Sequence, residues 1–196
     1  MGKVFEAIDG RIREFIERQH VFFVATAPAG AGGHVNCSPK GLDTLRVLGP
    51  REVAYHDFTG SGAETIAHLR ENGRIVMMFC AFEGVPMIVR LHGRGTVVEP
   101  GDPDFAGLAA HFPAAGDVRS IIQVAVERIG DSCGFGVPLF RYEGERTQLP
   151  AWAEAKERTG GGLAAYRREK NARSIDGLPA LRFGTAPPDA GPRTAG

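Results

Sequence analysis

"DFTGSGAETIAHLRENGRIVMMFCAF", residues 57–82, carries three structural signals in succession. A β-prone run, Glu52 to Phe58, ends at Gly60, Ser61 and Gly62. A short helix follows over 62–72, and an apolar run occupies Ile75 to Phe82. A helix that starts after such a turn offers free N–H groups to an anion. Two nucleotide-binding patterns fail here. The phosphate loop needs Gly-Lys-Ser/Thr, which does not occur, and the dinucleotide fingerprint G-x-G-x-x-G meets Thr65 at its last glycine. Ser61-Gly62-Ala63-Glu64 also fits the S-x-x-E capping box, which satisfies a helix start without a ligand. At the level of sequence both readings stand. Gly60, Gly62, Thr59 and Thr65 suit the close approach of a phosphate, and Ser61 with Glu64 suits a cap.

The apolar run decides the architecture. A strand covered on one face alternates with polar residues, whereas Ile75–Phe82 does not, so both of its faces are expected to be covered. Further strands are predicted at 21–28, 34–38, 45–48, 52–58, 86–99 and 120–129, and glycines 93 and 95 mark a bulge or bend in the long one. Six to seven strands, with one short helix among the early ones, predict a mainly β fold with flanking helices: an antiparallel barrel, not a βαβ series. The barrel interior accounts for one face of the apolar run. The other predicts a second subunit or packed helices, and hence a homodimer.

Helical spacing of Val4, Ile8, Ile12, Phe15 and Ile16 predicts an N-terminal helix over 4–18, "DPDFAGLAAHF" predicts another over 102–112, and 150–170 reads as helix interrupted at Gly160–Gly162. Residues 1–183 are expected to form one domain, with 184–196, rich in Pro, Gly and Ala, as a disordered tail. The chain has 196 residues, with 23 basic against 23 acidic side chains, which argues against nucleic acid or an anionic membrane as a partner held by bulk charge. No signal peptide or membrane span is visible, and the three cysteines form neither a disulfide framework nor a zinc pattern. A cytoplasmic, reducing setting without a metal is expected.

Other constellations are weaker. In "NCSPKGLD", Lys40 offers a phosphate charge and Ser38 a hydroxyl, at what also reads as an ordinary turn. Ile88, Arg90, His92 and Arg94 share one strand face, most simply a solvated one. No G-x-S-x-G anchors a catalytic triad, and catalytic residues stay unassigned.

In order, "HVNCSPKGLD", "AYHDFTGSGAETIAHLRENGRIVMMFCAF" and "IVRLHGRGTVV" resemble the pyridoxamine 5′-phosphate oxidase-like flavoproteins, over about residues 20–130. The set is similar to a branch distinct from the vitamin B6 oxidases, which carry an Arg-Lys pair where this chain has Glu64-Thr65. The resemblance implies the FMN-binding split β-barrel and a homodimer with FMN in a groove at the subunit interface. It implies an oxidoreductase that moves hydride or electrons to or from a small molecule, with F420 as the nearest cofactor variant. The alternative is a barrel that binds or stores flavin, F420 or haem without turnover. Carried over by position, Lys40 pairs with the phosphate. Asn36, Cys37 and Ser38 run along the flavin, and His56, Asp57, Thr59, Ser61, Gly62 and Thr65 line the ribityl-phosphate end. Arg74 and Arg90 are candidate helpers.

Overall fold

The computed structural model describes residues 2–183. The 184–196 tail lies outside the described residues. Among the described residues, eight strands form one antiparallel sheet: β1 (Val4–Phe5), β2 (Phe22–Thr26), β3 (Asn36–Lys40), β4 (Leu45–Gly49), β5 (Glu52–Phe58), β6 (Arg74–Cys80), β7 (Ile88–Val98) and β8 (Val118–Ser132). Their order is β3-β2-β6-β7-β8-β5-β4, with β1 added to β8. The ladder is not closed, so this is a split barrel with β3 and β4 as its edges.

Among the described residues, five helices flank the sheet: α1 (Gly10–Glu17), α2 (Glu64–Asn72), α3 (Phe105–Ala109), α4 (Gln148–Glu157) and α5 (Gly162–Lys170). The N-terminal helix is shorter than its periodicity predicts. Ile8, Ile12, Phe15 and Ile16 are buried, but Val4 and Phe5 pair with Gly130 and Ile129 instead. The helix starts after Asp9, which caps it, its carboxylate accepting from the Ile12 N–H at 2.8 Å.

Alternation sets the core. Val24, Met77, Phe79, Val89, Leu91, Val124 and Tyr55 point into the barrel. On the other face of β5, β7 and β8, Ala54, Val98 and Ile121 meet Leu108 and Phe112 in a smaller cluster around α3. The run Ile75–Phe82 follows the same rule more closely than its composition suggests. Ile75, Met77 and Phe79 are buried, and Val76 and Met78 are half-buried on the outer face.

Two backbone features seat α2 over the barrel. Gly73 ends α2 in the left-handed conformation, φ 70°, and its N–H bonds to Leu69 O. The chain can then reverse directly into β6. A bulge at His92/Gly93 bends β7, and a Cβ at Gly93 would lie 2.2 Å from Ala125 O. Gly73→Ala is expected to lower stability by about 1 kcal/mol, because an L side chain resists that conformation. Urea unfolding monitored by circular dichroism measures it.

Candidate functional site

The open side of the barrel is closed electrostatically. Asp57, at the end of β5, has no exposed surface. Its carboxylate accepts from Lys40 Nζ at 2.8 Å and from Arg119 Nε at 2.8 Å. Lys40 lies on β3, at the far edge of the sheet order from β5, so the pair bridges the split. Arg119 arrives by a bulge. Asp57 pairs with Ser120 and Phe58 with Val118, which leaves Arg119 as the extra residue of β8. Ser120 and Arg119 therefore both face Asp57, where strict alternation would turn one away. Burial pushes the Asp57 carboxyl upward, and the charges and hydrogen bonds of Lys40 and Arg119 outweigh it, holding the group well below the usual carboxylate range.

Above this triad lies a cavity of about 280 Å³, lined by Asn36, Ser38, Lys40, Thr59, Gly62, Thr65, Glu64 and Arg119, with Leu149 from α4. Six of the ten expected site residues thus meet on one wall, from two separate segments, 36–40 and 59–65. The strand edge and the helix start come together by curvature of the barrel, for β3 and β5 are not ladder neighbours.

The remaining four sit elsewhere. Asp57 lies behind Lys40, as described. Cys37 is exposed on the outer face of β3, because alternation that turns Asn36 and Ser38 inward turns Cys37 out. Ser61 is exposed at the turn and does not line the cavity. His56 faces the opposite side of β5, stacked on Phe112 with ring centroids 4.1 Å apart. Neighbouring strand residues cannot share a face, so His56 and Asp57 could not both point to one ligand. Burial, then Arg46, lowers the His56 pKa. The suggested helpers are also remote: Arg74 bonds Asn72 and Pro28 O, and Arg90 bonds Ser132.

The capping box does not form. The N-cap position is Ala63, and no side chain caps α2. Glu64 turns instead toward the C-terminal segment, its Oε1 accepting from the Ile175 N–H at 3.1 Å, while its Oε2 lies over Gly62. The uncapped start of α2 thus opens on the cavity. Thr65 Oγ1 accepts from Asn36 Nδ2 at 3.0 Å, and Ser38 Oγ donates to Asn36 Oδ1 at 3.0 Å.

Sequence reading missed Arg119, because the predicted strand began at residue 120. It also missed the C-terminal clamp. Arg167 Nε donates to Thr59 Oγ1 at 2.8 Å and Asn171 Nδ2 to Gly60 O at 2.8 Å, so α5 and the residue after it hold the 59–62 turn. Arg119 Nη1 holds the same turn through Gly62 O. Burial, and Arg119 nearby, lower the Arg167 pKa. Among the described residues no group of three or more His, Cys, Asp or Glu side chains is placed to hold a metal, and no helix is long and apolar enough to cross a membrane.

Asp57→Asn is expected to cost about 3–5 kcal/mol at pH 7, because it strands Lys40 and Arg119. The depressed carboxyl stabilises the fold at every pH above its unfolded value of about 4, and that stability is lost as pH falls below it. Denaturation at pH 7 and pH 3 is therefore expected to separate the two proteins widely at pH 7 and less at pH 3.

Comparisons with known proteins show the family and the fold. The family model for pyridoxamine 5′-phosphate oxidase matches residues 8–133. The chain is 41% identical over 192 residues to the pyridoxamine 5′-phosphate oxidase family protein ustO of Aspergillus flavus, a match covering 90% of this chain and 77% of that protein. Among solved structures it is similar to HupZ of Group A Streptococcus, with TM-score 0.52, 23% identity, 68% of this chain and 99% of that one. It is also similar to a Lactobacillus delbrueckii protein described as a candidate pyridoxamine 5′-phosphate oxidase, with TM-score 0.50, 15% identity, 65% of this chain and 98% of that one. With the family model matching residues 8–133 and a curated relative 41% identical over 90% of its length, the chain belongs to the pyridoxamine 5′-phosphate oxidase family.

Proposed function

We propose that the protein is an FMN-binding flavoprotein that acts as an oxidoreductase on a small molecule, with the phosphate held in the cavity between β3 and the start of α2. One observation carries this reading. Residues from β3, β5, the 59–65 segment and β8 converge on a single cavity with two cations, Lys40 and Arg119, and an uncapped helix start. A phosphate there wants several donors. The chain offers Lys40 Nζ, the Thr65 hydroxyl, the first N–H groups of α2 and the guanidinium of Arg119. At about 280 Å³ the cavity suits the ribityl-phosphate end, so the ring system would extend outside it.

When bound, the flavin supplies the hydride or electron transfer. The chain's own part is to bind and orient. Lys40 and Arg119 carry positive charge, Asp57 fixes where both sit, and the 59–62 turn is held rigid by Arg119, Arg167 and Asn171. Glu64 is the discordant group, a carboxylate on the cavity wall that opposes a dianion unless it stays turned toward Ile175.

The homodimer belongs to this reading. The outer sheet face keeps Phe23, Val76 and Met78 half-buried, and the segment after β8 leaves Phe135, Leu139 and Phe140 at 80%, 75% and 61% exposure. Apolar surface of this kind suits burial against a second copy. Light scattering on the purified protein is expected to give twice the chain mass.

The purified protein is expected to be yellow, with the two-band visible spectrum of a flavin. A Soret band would assign the barrel to haem, and a colourless protein that takes up neither FMN nor F420 would overturn the proposal. Bleaching by NAD(P)H followed by reoxidation by an acceptor separates an enzyme from a flavin store. Lys40→Ala is expected to weaken FMN more than riboflavin, which lacks the phosphate, whereas Glu64→Gln is expected to strengthen FMN relative to riboflavin. Equal effects on the two ligands, measured by fluorescence titration, would place the phosphate elsewhere.

A further inference from the structure

His68 is fully buried on α2, one helical turn after Thr65. Its Nδ1 lies 2.9 Å from Thr26 Oγ1, and its Nε2 has no partner among the described residues. Thr26 on β2 is the cross-strand partner of Asn36 on β3. Asn36 Nδ2 donates to Thr65 Oγ1 at 3.0 Å and reaches Thr26 Oγ1 at 3.4 Å. The four side chains form a chain of three contacts, His68–Thr26–Asn36–Thr65, with both ends on α2, tying that helix to β2 and to the sheet edge. Asn36 and Thr65 are on the cavity wall, and His68 is not.

Such a chain has two directions in which the hydrogen of the buried Thr26 hydroxyl finds an acceptor; a third, with Thr26 accepting from both Nδ1–H and Asn36, leaves that hydrogen without a partner. In the first, Thr26 O–H donates to a bare Nδ1 of His68, and Asn36 Nδ2 donates to Thr26 and Thr65. Ser38 donates to Asn36 Oδ1, and the Thr65 hydroxyl hydrogen is left free for the cavity. In the second, Nδ1–H donates to Thr26 and the Asn36 amide is turned round. The hydroxyls of Thr26 and Thr65 then both donate to Asn36 Oδ1, and Thr65 presents only lone pairs to the cavity. Each direction leaves Nε2 alone, so polar satisfaction does not choose between them. The chemistry of the cavity does: an anion at the start of α2 needs Thr65 as a donor, which selects the first. The Asn36 orientation in the structure is the first as well.

We propose that His68 is a positioning residue that, as a neutral ring with its proton on Nε2, makes Thr65 a hydrogen-bond donor to an anion in the cavity. The ring is neutral for a physical reason. Burial lowers its pKa, and this outweighs the carboxylates that face it, Asp176 from the segment after α5 and Glu64 and Glu71 from α2 itself. The other polar neighbour, Thr26 on β2, is uncharged.

The assignment rests on the FMN reading for its ligand but not for its first test. Nitrogen NMR of the ligand-free protein, labelled at histidine, reads the tautomer directly. A bare Nδ1 and a protonated Nε2 at His68 are expected, and a protonated Nδ1 would overturn the proposal. The second test is FMN titration of three variants. His68→Asn keeps an acceptor at the Nδ1 position and is expected to bind FMN close to wild type. His68→Phe keeps the ring volume without the acceptor, and it and His68→Ala are expected to bind about tenfold more weakly. Rescue by Phe and not by Asn would mean that the ring only fills space, and would overturn the assignment. If the His68 variants fail to fold, Thr26→Ser against Thr26→Val reads the same bond from its other end, with loss in Val alone expected and equal loss in both overturning it. A wild type that takes up no FMN sinks the flavin reading alone, and the tautomer still decides His68.

Discussion

Asp57 and its two cations are the constraint on which the site depends. A carboxylate without exposed surface carries a large desolvation penalty, and only close opposite charges make it tolerable. Lys40 and Arg119 supply them from β3 and β8. Lys40 on edge strand β3 and Asp57 on β5, beside the other edge strand β4, meet across the barrel's opening, so their ion pair fixes how far the split can gape. The cavity is the space that remains above them. Its wall is thus positioned by the same interaction that stabilises the fold in its neighbourhood.

The clamp from the C-terminal segment works on the turn that follows Asp57. Arg167 and Asn171 hold the 59–62 turn, and Ala180 and Leu181 are buried in the main core, with Arg70 donating to Ala180 O. Arg70 and Arg182 both pair with Glu99 at the end of β7. The segment after α5 is therefore part of the domain, and Leu149 of α4 completes the cavity wall. A rigid turn at the helix start is what an anion site requires, since donors fixed in advance need no reorganisation when charge arrives.

The strands were legible because each is a short apolar or alternating run bounded by turn residues. Glu52–Phe58 matches β5 at both ends, and the others differ from their predicted limits by a few residues. Val4 and Phe5 show where the reading failed. The spacing of Val4 fits α1 and the predicted helix spanned both, but pairing with β8 competes for them, and strand pairing across more than a hundred residues is invisible to local periodicity. The capping box failed for a similar reason. Ser61-Gly62-Ala63-Glu64 has the right letters, yet a backbone N–H at Ile175 draws Glu64 away.

By itself, the sequence determined the strand and helix pattern, the antiparallel class and the segments that carry the site, because those follow from side-chain period and turn chemistry within short windows. It also marked Lys40 and Thr65. Only the tertiary structure decided which of the marked residues meet. Alternation sends His56 and Cys37 away from the cavity, and a single bulge in β8 turns Arg119 into it. That bulge depends on register between strands 60 residues apart, and register is set by the packing of the whole sheet. The lysine near the helix start is supplied by an edge strand because the barrel curves, a fact no window of sequence contains.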